Sequence, residues 1–382
     1  MDIPFQFSRY VTGKYFVGRR EDCAALAGIM SSGESVALWG PPKEGRLSAV
    51  QQSLANMRAS GGDFLVCAID LTGVRETSMF IRVLAGKLIS AAVADADGME
   101  AAAERHLTGT SLTFDRQEYS RDSLMSGTTG KVTGADIEAV AELPFALAAE
   151  AGKKMVVVLR EFQNIDSDES EKFFKALECA ISRHREEHLC SFVFLGSRNN
   201  AMESIFLRRR FFWREVEKFR LRDITETEIS DHVLRGFTAG GKVIERDLIQ
   251  GICRLFKNNI WYINHFFFIC DSLSKGYISE LTLNDALASL ISVNEPRFRA
   301  VMDGLTGFQE RMLKAILDGN VKFSTTEVIE RYGLNSSANV KRLKDALMKK
   351  EVIMFNEREE PELQDPLFEH WLRKKYFDVQ EI

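Results

Sequence analysis

Residues 40–48 read GPPKEGRLS. Gly40 and Gly45 stand at the spacing of a phosphate-binding loop, GxxxxGK[ST]. In such a loop backbone N–H groups and a helix N-terminus hold phosphate oxygens, the lysine charges the β/γ-phosphates and the hydroxyl ligates Mg2+. Here Arg46 takes the lysine position and Leu47 the hydroxyl position. A guanidinium keeps the charge but is bulkier and planar, and a leucine binds no metal. Ser48 comes one residue late, about 100° further round a helix. Glu44 adds negative charge inside the loop. A second place for chemistry is the end of MVVVL (155–159), which runs into Arg160-Glu161. In proteins that hydrolyse nucleotides on such a loop, an apolar strand near the first ends in an aspartate that holds Mg2+ and often a glutamate that activates water. The aspartate position carries a cation, and the glutamate position is intact. Both metal-holding groups are therefore replaced, one by an alkyl chain and one by a charge that competes with Mg2+ for the same space.

The elements needed to position such a loop can be read around it. SVALW (35–39) is a short apolar run that enters the turn at Gly40, and Leu47, Val50, Leu54 and Met57 follow at helical spacing. DFLVCAID (63–70) is a second apolar run, followed by a helix expected over 77–94. Residues 95–133 are rich in Gly, Ser, Thr and Asp, and 107–133 is expected as a long loop or insertion. A helix over 134–151 leads to 155–159. An amphipathic helix over 169–187 precedes SFVFLG (191–196) and a shorter strand near 216–221. Apolar strands alternating with helices signal a parallel sheet buried on both faces. Residues 1–225 are thus expected as one α/β domain. Residues 226–300 are expected as a helical domain that begins near Thr225 or Thr227 as a cap. Residues 301–382, three helices and a hairpin, are expected as a winged helix.

The motifs, in this order, resemble those of the archaeal-type ATPases of the AAA+/STAND group. Phe16-Val-Gly-Arg-Arg-Glu21 with Leu26 is similar to the family's FxGRExE…L box, and Gly40-Pro41-Pro42…Gly45 to its GPRRxGKTS loop. Arg160-Glu-Phe-Gln163 is similar to its DEFQ strand end. Gly196-Ser197-Arg198 with Met202 and Phe206 is similar to its sensor segment. Arg209-Arg-Phe-Phe212 is similar to R-P-F-Y, and Asp365-Pro-Leu-Phe368…Trp371-Leu372 to its DPLFxxWL signature. The resemblance implies a P-loop NTPase fold with a parallel-sheet core, a helical lid and a C-terminal winged helix. It also implies ATP or ADP as ligand, near Gly18, Arg19, Gly40, Pro41, Gly45, Arg46, Ser48, Arg160, Ser197 and Arg209. The departures at Arg46, Leu47 and Arg160, and at Asn258-Asn259-Ile260 where relatives carry Gly-x-Pro, imply no Mg2+ and no hydrolysis, with Glu161 a vestigial base. The expected function is a pseudo-ATPase serving as a protein-interaction scaffold or regulator. The alternatives are an ATP-binding switch with slow hydrolysis and a DNA-binding regulator.

The remaining chemistry-bearing residues carry blander expectations. Arg46 and Arg160 are expected to pair with Glu44 and Glu161, and Asp70 to serve structure. Residues 208–222 carry seven basic side chains against two acidic, and are expected as a solvated basic face with a Phe/Trp core face. Within them Arg209 is the candidate phosphate sensor. His265 is expected as a satisfied core histidine, and His184 and His188 as a solvated face. Asn339–Lys350 is the candidate DNA-reading helix, through Lys341, Arg342 and Lys344, although the acidic run Glu357–Glu362 follows it. A net charge of −5 argues against wholesale nucleic-acid binding. Six scattered cysteines without a CxxC fit a reducing cytoplasm and no zinc site. No stretch is long and apolar enough to span a membrane.

Overall fold

A computed structural model describes residues 4–116, 125–127, 132–356 and 358–377. The chain divides into two compact units. An α/β unit comprises Arg19–Pro42 and Arg46–Arg222, and a helical unit comprises Met1–Gly18, Lys43–Gly45 and Asp223–Ile382.

The α/β unit runs α1 (Arg20–Ser32), β1 (Ser35–Trp39), α2 (Arg46–Ala59), β2 (Phe64–Asp70), α3 (Thr77–Ala92) and α4 (Ala96–His106). A short antiparallel pair, β3 (Leu112–Phe114) and β4 (Met125–Gly127), then leads to α5 (Gly134–Ala151). It closes with β5 (Lys154–Arg160), α6 (Ser170–Arg183), β6 (Cys190–Gly196), α7 (Asn199–Glu203) and β7 (Val216–Phe219). Five strands form one parallel sheet in the order β2-β5-β6-β1-β7. The apolar runs become the inner strands because both of their faces are covered: Val156 to Leu159 on β5 are 0–1% exposed. Burial of each such side chain stabilises the fold by roughly 1.5–3 kcal/mol before ordering costs. The expected long loop at 107–133 contains the β3–β4 pair, and residues 117–124 and 128–131 of it lie outside the described residues. The sequence reading also missed α4, whose Asp95 cap accepts the Gly98 N–H at 2.8 Å. Its three central alanines give little hydrophobic period to detect.

From β1 the chain crosses to β2 at one edge, and from β6 it crosses to β7 at the other. Adjacent strands whose connections leave in opposite directions open a crevice at their carboxyl ends, which is where open α/β sheets bind ligands. Gly40 and Ser197 follow the two strands that flank this point.

The helical unit contains α8 (Glu226–Ala239), β8 (Val243–Ile244), α9 (Arg246–Leu255), α10 (Ile260–Leu273), β9 (Tyr277–Ile278) and α11 (Glu280–Asp303). Thr225, rather than Thr227, caps α8: its hydroxyl accepts the Glu228 N–H and the Glu228 carboxylate accepts the Thr225 N–H, a capping box. Residue 300 lies inside α11, which continues through Pro296. Then come α12 (Gly307–Leu317), α13 (Thr326–Tyr332), α14 (Ser337–Lys349), β10 (Ile353–Phe355), β11 (Pro361–Leu363) and α15 (Pro366–Trp371). Three helices followed by the antiparallel β10–β11 pair form the winged helix.

Candidate functional site

The loop after β1 is divided between the two units, its apex Lys43–Gly45 belonging to the helical one. In the α/β unit Arg46, the first residue of α2, is buried and donates to the Pro41 carbonyl at 2.9 Å. The cation that would face a phosphate thus bonds the loop's own backbone. In the helical unit Lys43 has left-handed backbone (φ 68) and donates to the Tyr262 hydroxyl at 3.1 Å. Its ammonium lies 3.8 Å from the Trp261 ring centre and 4.5 Å from that of Tyr262, a cation–π arrangement. Burial lowers its pKa to about 8, with Asp365 opposing and Arg297 adding to the shift. Gly45, at φ 89, occupies a conformation that favours glycine.

At the carboxyl end of β5, Arg160 faces Asp70, its register partner on β2, with Nη2 to Oδ2 at 3.1 Å. The sequence expectation paired Arg160 with Glu161. Successive side chains on a strand point to opposite faces, so the neighbouring strand supplies the partner. Burial opposes ionisation of Asp70, but the Thr72 hydroxyl and N–H and the Arg160 guanidinium hold its pKa below the ordinary value. Asp70 is therefore the counter-ion that the sequence reading missed. A strand-end acid next in the sheet was the available signal, but pairing it requires knowing the strand order.

Glu161 has left-handed backbone (φ 55), a costly conformation for a non-glycine residue. Its carboxylate accepts from the Ser197 hydroxyl and from Gln163 Nε2 at 2.8 Å. Glu161 and Ser197, both singled out in the sequence, are thus brought together. Gly196 ends β6 under a tight contact: a Cβ there would come within 2.3 Å of Met202 and 2.8 Å of Gln163 Oε1, which is buried without a partner. Arg209, the candidate phosphate sensor, pairs instead with Asp166 and, at 3.4 Å, with Glu171. Arg19 Nε donates to the Arg222 carbonyl at 2.9 Å, and Asp22 accepts the Arg222 N–H at 2.9 Å. Gly18 lies in the helical unit, where a Cβ would meet Glu228 Oε2 at 3.0 Å. Ser48 lies on α2.

Asn258 and Lys257 are both left-handed, and Asn259 caps α10 by accepting the Trp261 and Tyr262 N–H groups at 3.1 and 3.2 Å. The Asp365-Pro-Leu-Phe signature is fully employed. Asp365 Oδ1 accepts the Leu367 and Phe368 N–H groups and, at 2.7 Å, the Tyr262 hydroxyl, while Oδ2 takes Arg297 at 2.7 Å.

Other expectations change. Trp213 does not join the core face of 208–222: Phe211 and Phe212 are buried, but Trp213 is 50% exposed. His184 is not on a solvated face. It stacks on Phe145 at 4.5 Å and bonds Glu142 at 2.7 Å. His265 stacks on Phe7 at 4.0 Å, and its Nδ1 is buried without a hydrogen-bond partner. No group of three metal-binding side chains occurs among the described residues. Five of the six cysteines are buried, and burial pushes Cys67, Cys253 and Cys270 up to about 12, which makes these three inert as thiolates. No helix among the described residues is long and apolar enough to cross a membrane. In the winged helix Lys341 and Arg342 are exposed, and Lys344 lies 5.1 Å from the Phe355 ring centre. Of the acidic run, Glu357 lies outside the described residues.

The family described as "Probable winged helix domain" matches residues 296–374. No curated protein matches this sequence. Among solved structures, the Walker-type ATPase Paby2304 of Pyrococcus abyssi is similar over 97% of this chain and 99% of its own, with 13% identity and a TM-score of 0.66. The ORC2 protein of Aeropyrum pernix, in its ADP form, is similar over 98% and 96%, with 11% identity and a TM-score of 0.53. These likenesses show the fold alone: a parallel-sheet α/β core like that of these two proteins, with a C-terminal winged helix.

Proposed function

We propose that this protein is a pseudo-ATPase, an ATPase fold that has lost hydrolysis and serves as a protein-interaction scaffold or regulator. We also infer three functional parts: the α/β core, a helical lid and the winged helix. The observation that carries the reading is the Arg160–Asp70 ion pair at the carboxyl end of β5. A guanidinium and its counter-ion stand where a metal-holding acid would work, and Leu47 supplies no second ligand. Without a divalent ion, charge developing on a transferred phosphoryl group loses its main stabiliser. Arg46, bonded to the Pro41 carbonyl, supports an occluded or weak nucleotide site. Glu161, bonded to Ser197 and Gln163, acts as a structural acceptor rather than a base.

The test is calorimetric titration of the full chain with ATP, with and without Mg2+. Affinity that improves with Mg2+, or steady phosphate release, refutes the reading. The combined change Arg46→Lys, Leu47→Thr and Arg160→Asp is expected to restore Mg2+-dependent ATP binding if the site lost only its ligands. A second reading, DNA binding, is favoured by exposed Lys341 and Arg342 on α14 of a winged helix. It requires duplex binding that weakens with salt and with Lys341→Glu and Arg342→Glu.

A further inference from the structure

We propose that the β7 edge of the α/β unit, around Trp213, binds single-stranded nucleic acid. The site is independent of the nucleotide loop and of the winged helix. Between the helix turn ending at Arg208 and β7 the chain makes a tight turn in which Arg210 and Phe212 both adopt left-handed backbone, each at φ 59. Non-glycine residues are held there only when the surroundings over-determine them. Here they do. Phe212 is fully buried, its ring centre 5.1 Å from Phe194 and 5.7 Å from Phe206, and Phe211 packs on Phe174 at 5.3 Å. The Phe212 and Trp213 N–H groups donate to Glu178. The next side chain, Trp213, is then held half-exposed on a rigid turn. A large aromatic ring kept in water by a strained, well-anchored backbone is costly for a surface with no partner.

The ring is surrounded by cations. Lys218 Nζ lies 4.2 Å from its centre and Arg210 Cζ 5.1 Å, and Arg214 is exposed beside it. Among the described residues Arg210, Arg214 and Lys218 form no ion pair, whereas their neighbours Arg209 and Arg222 do. Of the intervening acids, Glu215 is largely buried with Arg185 3.9 Å away, which leaves Glu217 as the exposed one. Lys218 sits on β7, an edge strand of the sheet.

A planar ring flanked by cations that form no ion pair among the described residues complements a polyanion that exposes flat faces along its length. Single-stranded DNA or RNA has this chemistry: phosphates meet the cations and an unpaired base stacks on Trp213. A duplex keeps its base faces stacked internally, and an acidic peptide offers charge without repeated rings. The patch holds one aromatic side chain, too little apolar surface to enter a bilayer.

The test uses the full chain, without ATP, and a labelled oligothymidylate of about 15 nucleotides, followed by anisotropy across a salt series. Three phosphate contacts predict a log–log salt slope of about −2. Trp213→Ala is expected to weaken binding roughly tenfold, and Trp213→Phe to retain most of it. Arg214→Glu with Lys218→Glu, both exposed, is an independent second variant and is expected to abolish binding. Unchanged affinity in both variants overturns the proposal. So does tighter binding of the matching duplex, or binding lost only in Lys341→Glu with Arg342→Glu. Displacement by polyglutamate as effective as by unlabelled oligonucleotide also overturns it and assigns the patch to an acidic protein.

Discussion

The end of β5 and the start of α15 both carry motifs that resemble one family, yet they have fared differently. At Asp365 each residue of the motif still holds structure: the carboxylate caps the helix and takes Tyr262 and Arg297, Pro366 sits in the first turn, and Leu367, Phe368, Trp371 and Leu372 are buried. At Arg160 the resembling motif holds a half-exposed ion pair with Asp70. The difference teaches that a motif held by packing and a motif held by surface charge are constrained by different physics. A buried Trp cannot change without a cavity, whereas a metal ligand can change at the cost of function alone.

The comparison can be broken by stability measurements. Trp371→Ala is expected to destabilise the protein most, by about 3–5 kcal/mol in denaturant unfolding, since it removes a fully buried ring. A loss under about 1 kcal/mol would mean that α15 is not part of the core. Asp365→Ala should cost about 2 kcal/mol, because one change removes a cap and a charge-assisted acceptor. Arg160→Ala should cost about 0–1 kcal/mol, because both partners are partly exposed to water. A larger loss would make the strand-end pair structural in the same sense as Asp365 and erase the contrast.

Two histidines sharpen the comparison by pH, with smaller effects. Burial lowers the pKa of His232, whose Nε2 lies 2.9 Å from Asn264 Oδ1, with Arg235 adding to the shift. Below the ordinary value near 6.5 the unfolded chain then binds the proton first, so stability falls as pH drops through that value. His184 is the opposite case. Burial resists its charging, but Glu187 and Glu142 raise its pKa, so its contribution is fully present below about 6.5 and is lost as pH rises through the raised value. His232→Gln should flatten the acid limb of the stability curve, and His184→Gln should steepen it. The same slope in both variants and the parent would show that neither group is linked to folding.

Much of the fold could be read along the chain. β1, β5 and β6 are continuous apolar runs because both their faces are covered, and the start of α8 was legible as a cap at Thr225 or Thr227. The small-residue helix α4 could not be read, because alanines give no period. Within the candidate site Arg46, Leu47 and Arg160 were legible as departures, since spacing alone exposes them. Their partners were not: Asp70 reaches Arg160 only because β2 lies beside β5, and Pro41 receives Arg46 only because the loop folds back. Trp213 was misplaced for the same reason, since alternation cannot foresee two left-handed residues, Arg210 and Phe212, in one turn.

By itself the sequence determined which residues stand in the Gly40–Gly45 loop and at the end of β5, because side-chain chemistry and local spacing travel with the chain. Tertiary structure alone decided what the substituted cations do and which aromatic ring faces water. Strand order, register and backbone handedness bring together residues that local pattern cannot relate.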